Sequence, residues 1–222
     1  GCPYNCSYCL SSTIKGVRFF PLDRVKEDLA KLIHAGVKEV KFVDRTFNAD
    51  ERRARAIMEF IISQGGNTRF HCEIAADYLS PEFISFLTTV PPDLFNFEIG
   101  IQSTCPESLK AVRRKSNWQR LRTNIESLQS AGNLHLHLDL IAGLPYESLE
   151  RFGRSFNDVF SIRPDVIQLG FLKLLTGSEI RAVAREHGYM FQDKPPYQLL
   201  ANHYLDYTDI LQLKQIENLL DR

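Results

Sequence analysis

Phe95-Asn96-Phe97-Glu98-Ile99-Gly100-Ile101-Gln102 alternates without a break between apolar residues and polar or small ones. A strand points successive side chains to opposite faces. One face therefore carries Phe95, Phe97, Ile99 and Ile101, and the other Asn96, Glu98, Gly100 and Gln102. Residues 134–140 repeat the pattern, with Leu134, Leu136, Leu138 and Leu140 opposite His135, His137 and Asp139. Residues 70–77 set Phe70, Cys72 and Ile74 against His71, Glu73 and Asp77, and further on Ile167, Leu169 and Phe171 oppose Gln168 and Gly170. A doubly wound sheet would read as near-continuous apolar runs, and a closed eight-stranded barrel would fill its lumen with branched aliphatic layers. Neither matches. A sheet curled around a wide, polar, ligand-filled cavity does. A sheet with one solvated face is the plainer alternative, but helices normally cover both faces of an α/β sheet.

Outward from these strands, helical and extended patterns alternate. Helices are expected at 21–36, at 50–64, at 80–89 behind a Ser-Pro start, at 106–114, at 118–131 and at 147–162. Residues 39–44 (EVKFVD) add a fifth strand. Strands separated by helices of ten or more residues predict parallel pairing with right-handed crossovers. After Thr176-Gly177 come a short helix to about His187, a Pro195-Pro196 break and an amphipathic helix to the end. Both ends look cut. A cysteine cluster begins at the second residue with no strand before it to anchor the loop, and the closing helix reaches Asp221-Arg222 without a cap signal.

The 222 residues carry 27 basic and 27 acidic side chains, so the formal net charge is zero. That balance argues against a duplex nucleic-acid binder, which needs a basic face. No stretch of eighteen apolar residues spans a membrane, and no signal peptide opens the chain. Five cysteines, an odd number, with no export signal point to a reducing cytoplasm rather than a disulfide framework.

Three of those cysteines, Cys2, Cys6 and Cys9, are spaced C-x3-C-x2-C in Gly1-Cys2-Pro3-Tyr4-Asn5-Cys6-Ser7-Tyr8-Cys9. Three thiolates on one short loop can grip three corners of a cubane iron–sulfur cluster and leave the fourth iron open. A structural zinc site wants four ligands, usually from two paired motifs. Cys72 and Cys105 stand alone and supply no second pair.

GCPYNCSYC is similar to the cluster-binding loop of the radical S-adenosylmethionine (SAM) superfamily, including the aromatic Tyr8 before the third cysteine. EVKFVDRTFN resembles that family's second strand and loop, HCEIAAD the third strand, and FEIGIQS the fourth. LKAVRR resembles the helix after it, LDLIAGLP the fifth strand, and LGFLKLLTGSEI the sixth strand with its exit. The resemblance covers about residues 1–180 and is nearest to members with an upstream cobalamin-binding domain. The tail, with PPYQLL and a closing helix, resembles the C-terminal extension of one such branch. The resemblance implies an α/β fold, a partial (β/α)6 barrel of radical SAM type whose first strand is missing here. It implies a core at 1–176 and, at 177–222, a C-terminal helical extension that starts a further domain. It implies a [4Fe-4S] cluster and SAM as cofactors, cobalamin through the missing upstream domain, and a reductant such as flavodoxin or ferredoxin as partner. The family reaction is one-electron cleavage of the sulfonium to methionine and a 5′-deoxyadenosyl radical, which abstracts a substrate hydrogen atom.

The resemblance assigns residues in turn. Cys2, Cys6 and Cys9 would bind the cluster. Tyr8 would pack near adenine, or serve loop packing alone. The family's glycine-rich amino-binding motif is replaced here by Val43-Asp44-Arg45-Thr46-Phe47-Asn48. Asp44 would accept from the SAM ammonium, or else cap the following helix. Gln102 and Asp139 would hold ribose hydroxyls, with Glu73 acting nearby on ribose or amino group. Arg114 would pair with the methionine carboxylate through a bidentate guanidinium, or else decorate a solvated helix end beside Arg113 and Lys115. Glu98, His135 and His137 line the polar face, and the histidine pair is cavity lining before it is a metal site. Cys72 belongs to the core, Cys105 to a loop at a helix start, and Gly143-Leu144-Pro145 to a strand-exit turn. The function expected is a radical SAM core acting on an unknown small-molecule or macromolecular substrate. The competitor is a non-catalytic zinc-binding or interaction module on a barrel scaffold.

Overall fold

The structure, a computed structural model, describes residues 1–14 and 16–220. The expected uncapped helix end at residues 221–222 lies outside the described residues. After an irregular start with one 3-10 turn, Leu10–Thr13, helices and strands alternate. They are α1 (Leu22–His34), β1 (Glu39–Lys41), α2 (Glu51–Gln64), β2 (Arg69–Ile74), α3 (Pro81–Leu87) and β3 (Phe95–Gln102). There follow α4 (Pro106–Ala111), α5 (Trp118–Ala131), β4 (His135–Ala142), α6 (Leu149–Phe160) and β5 (Val166–Phe171). The strands pair in the order β1-β2-β3-β4-β5. β1 with β2 and β2 with β3 are parallel, which sets Phe70 opposite Phe95 and Glu73 opposite Glu98.

Local chemistry places these boundaries. Asp50, Ser80, Asn117 and Ser148 each accept a hydrogen bond from the backbone N–H three residues on, and so start α2, α3, α5 and α6. The helix expected at 106–114 stops at Ala111. Arg113 takes a φ of 54°, which ends the helix and turns the chain.

The strand faces follow the alternation. Phe95, Phe97, Ile99 and Ile101 are buried, as are Leu136, Leu138, Leu140 and Ala142. Burying each of the Phe, Ile and Leu side chains among them is worth about 1.5–3 kcal/mol. Asn96, Glu98, Gly100 and Gln102, and likewise His135, His137 and Asp139, are half-buried.

By internal packing the chain divides into two compact units. One comprises residues 1–3, 16–99 and 117–137, and the other 4–15, 100–116 and 138–222. The first unit packs Met58, Ile61, Phe70, Phe95, Phe97 and Leu128. The second packs Ile101, Val112, Leu140, Phe152, Leu174 and Leu199.

The second unit ends in α7 (Glu179–Ala182), β6 (Met190–Phe191), β7 (Leu199–Ala201) and α8 (Tyr207–Leu220). The antiparallel β6–β7 pair is an addition to the expected all-helical tail. Strands of two and three residues are too short to show a period, and Pro195-Pro196 lies in the loop between them. The tail is stitched to the exit of β5: Leu199 N–H donates to Leu172 O at 2.9 Å, and Leu174 N–H to Tyr197 O at 2.8 Å. The Arg181 guanidinium lies 5.0 Å from the Phe191 ring and 4.9 Å from the Tyr197 ring, and donates to Leu174 O at 2.7 Å.

Candidate active site

The cysteine loop has little regular structure, so hydrogen bonds to its neighbours hold it. In the second unit, Ser7 N–H donates to Val112 O at 3.0 Å and Ser7 O accepts from Ile180 N–H at 3.0 Å. Cys9 N–H donates to Cys6 O at 3.1 Å, and Ser12 Oγ closes onto Cys9 O at 2.6 Å. Cys6 and Cys9 thus sit on one tight turn, Cys6 buried and Cys9 partly so. In the first unit, Cys2 Sγ is 3.4 Å from Thr46 Oγ1. All three are free thiols. Among the described residues no group of three His, Cys, Asp or Glu side chains is gathered to hold a metal ion. The donor set itself, soft thiols on a short loop, suits iron–sulfur or zinc rather than a hard cation.

Tyr8 lies among these groups. Burial pushes its phenol up, while the Arg114 guanidinium opposes that shift and the Cys6 and Cys9 thiols add to it. Arg114 is half-buried and donates to Gly100 O, with its other terminal nitrogen 3.9 Å from Cys6 Sγ. It is therefore not a solvated helix end. Its neighbour Arg113 takes that part, pairing with the exposed Glu179. The left-handed φ at Arg113 sends the two adjacent guanidinium groups different ways.

Gln102 ends β3 with a φ of 71°. For a residue other than glycine this conformation costs roughly 1–3 kcal/mol and persists only where surroundings enforce it. Its side-chain Oε1 is buried with no hydrogen-bond partner among the described residues. An amide oxygen in that state suits an incoming hydroxyl donor. Gly100, which the sequence reading passed over, makes the room: a Cβ there would lie 2.1 Å from Gln102 Nε2 and 3.6 Å from an Arg114 terminal nitrogen. A glycine on the polar face of a strand was the available signal. Asp139 is half-buried on the polar face of β4.

The first unit carries a second polar set. Glu73 receives Arg45 at 3.1 Å, and Glu98 meets His71 Nε2 at 2.9 Å. Burial raises the Glu73 carboxyl; Arg45 opposes this and the facing Glu98 reinforces it. Asp44 is exposed. It does not cap the following helix, because Asp50 holds that position and accepts from Arg53 N–H at 3.1 Å. Cys72 is fully buried in the core, and burial raises its thiol.

One group escaped the sequence reading altogether. Glu147, expected inside a helix, precedes α6 and is fully buried. Its Oε1 accepts from Ser103 Oγ at 2.6 Å and Ser155 Oγ at 2.7 Å. Burial raises its carboxyl against those bonds. Ser103 Oγ in turn accepts from Cys105 N–H at 2.8 Å, so Glu147 braces the turn that follows Gln102.

Comparison with known proteins agrees with this picture. The family model for the radical SAM superfamily matches residues 1–159. A second model, described as a protein of unknown function (DUF4080), matches residues 185–222. A 2-(S-pantetheinyl)-carbapenam-3-carboxylate methyltransferase of Streptantibioticus cattleyicolor is 27% identical over 164 residues, covering 71% of this chain and 24% of that protein. The ribosomal protein uS12 methylthiotransferase RimO of Pelobacter propionicus is 26% identical over 161 residues, covering 68% of this chain and 36% of its own. The chain thus spans about a quarter to a third of these relatives' length. Among solved structures, the radical SAM methyltransferase TsrM from Kitasatospora setae, with cobalamin and a [4Fe-4S] cluster bound, superposes with a TM-score of 0.72 at 16% identity, covering 93% of this chain and 42% of that one. The shared fold is a partial α/β barrel.

Proposed function

The chain belongs to the radical SAM superfamily, and from that premise we propose that it is the SAM-cleaving core of a larger radical methyltransferase that uses cobalamin. Both curated relatives above transfer methyl or methylthio groups, and TsrM carries cobalamin with its cluster. When bound, a [4Fe-4S] cluster supplies the electron that splits SAM into methionine and a 5′-deoxyadenosyl radical. Cys2, Cys6 and Cys9 are the thiolates that would hold it. Tyr8 packs toward the adenine. Arg114 holds the methionine carboxylate; a guanidinium has five donors, enough to keep Gly100 O as well. Gln102 and Asp139 would accept from ribose hydroxyls, and the family resemblance assigns Glu73 and Asp44 to the ribose and ammonium. The observation that carries this reading is the orphaned Gln102 Oε1 beside Gly100 and Arg114.

The core runs through 1–176, and 177–222 is its extension. Five free cysteines support a reducing, cytoplasmic setting. No helix among the described residues is long and apolar enough to cross a membrane. The partners are a flavodoxin- or ferredoxin-type reductant and the substrate. Zero net charge favours a substrate other than nucleic acid.

Anaerobic reconstitution followed by metal and sulfide analysis, then incubation with dithionite and SAM, tests this. About four irons with matching sulfide, and 5′-deoxyadenosine by chromatography, are expected. Stoichiometric zinc without sulfide would overturn it in favour of a metal-binding module.

A further inference from the structure

The exit of β4 carries a feature that cleavage of SAM does not use. Tyr146 follows Gly143-Leu144-Pro145 with a backbone φ of 63°. Glycine adopts that region freely and a bulky side chain avoids it. The residue is nevertheless 53% exposed. Two rings from the tail meet it: His187 edge-on at 5.5 Å and Tyr204 tilted at 5.2 Å. His187 Nδ1 is 3.3 Å from Tyr204 Oη, so these two side chains fix each other.

The tail has further anchors here besides the Tyr146 ring. Tyr189 Oη and Asn202 Nδ2 both donate to Gly143 O at 3.0 Å. Leu199 lies so close that a Cβ on Gly143 would meet its Cδ2 at 2.0 Å. Tyr146 is therefore one anchor among several, and it keeps exposed surface beyond its two ring contacts. The Tyr146 backbone also borders the turn after β3: its carbonyl O is 4.0 Å from Cys105 Sγ, three residues beyond Gln102. Barrel enzymes place substrate at these C-terminal strand ends, and backbone strain concentrates at ligand clamps.

We propose that Tyr146, His187 and Tyr204 form a stacking subsite for a planar heteroaromatic group of the substrate. Offset or edge-on packing against the rings supplies the attraction, and the phenol and imidazole polar atoms meet the edge of the guest. The word substrate rests on the proposed function; the subsite itself is tested apart from it.

Indole serves as probe and cyclohexanol, which lacks a π face, as its counterpart. Both are titrated by ligand-observed NMR into the cluster-free and the reconstituted protein. Indole is expected to bind and cyclohexanol not. Tyr146→Gly weakens indole by about tenfold; glycine suits the left-handed backbone, and a retained circular-dichroism spectrum shows that the variant still folds. Tyr204→Ala weakens indole likewise, and Tyr207→Ala, which removes an exposed ring on α8, leaves it unchanged. Indole binding that survives Tyr146→Gly, equal binding of cyclohexanol, or no indole binding at all overturns the proposal. Indole binding without 5′-deoxyadenosine formation would keep the subsite and remove the radical activity; the reverse would remove the subsite alone.

Discussion

After β3 the chain turns through Gln102 in the left-handed region, with Gly100, Gln102 and Arg114 crowded together and Glu147 buried behind Ser103. After β1 it runs through Val43, 90% exposed, and through Asp44 and Arg45, both exposed. The first exit is built before any ligand arrives. The second leaves residues 43–45 open, tethered by the pair Arg45–Glu73 with Arg45 60% exposed, before Thr46, Phe47 and Asn48 bury and Asn48 pairs with the Ala75 backbone in both directions. Preorganised groups lose little entropy on binding, so the β3 exit is where changes should cost most.

The largest effect belongs to the buried thiol beside Arg114. Cys6→Ala should remove essentially all iron after reconstitution and all 5′-deoxyadenosine, read by metal analysis and chromatography. Full iron retention would detach the cysteine turn from the site. Next comes Gly100→Ala, whose Cβ would displace the Gln102 amide. SAM affinity by calorimetry should fall at least about tenfold, and stability by about 1–3 kcal/mol. Unchanged affinity would show that the crowding is incidental.

Glu147 gives a pH test. Its folded-state carboxyl is raised by burial, so the folded form binds the proton more tightly than the unfolded form. Its contribution is full below the ordinary carboxylate range and fades as pH rises through the raised value. Glu147→Gln should hold both serine donors and flatten that loss, so denaturation at pH 5 and pH 8 should differ less than in the parent. An identical pH dependence in both proteins would rule out Glu147 as its source. The smallest effect is expected at the open exit. Arg45→Ala should change stability by under about 1 kcal/mol, as exposed ion pairs do. A loss as large as that of Gly100→Ala would erase the contrast between the two exits.

Much of the fold was legible because burial in a sheet has a period of two. The alternation at 95–102 and 135–140 reappears residue by residue as buried and half-buried positions, while Leu134, expected on the apolar face, is half-buried just before β4 begins. The cysteine spacing was legible because a cluster-binding loop is local in sequence. What was hidden depends on backbone angles and distant neighbours. Arg113 and Arg114 read alike in sequence, and only the left-handed turn at Arg113 separates a surface pair from a contact on Gly100. Gln102 read as a hydrogen-bonding strand end, but its strain did not show. Glu147 read as a helix residue, because nothing local announces that Ser103 and Ser155 close over it. The β6–β7 pair was too short to show any period.

On the proposed function, the cysteine loop binds a cluster and the prebuilt β3 exit binds the SAM molecule that the cluster cleaves. Electron paramagnetic resonance of the anaerobically reconstituted, reduced protein, with and without SAM, tests it most directly. A cluster signal that shifts when SAM is added is the predicted result. A cluster signal that SAM leaves unchanged would contradict the claim.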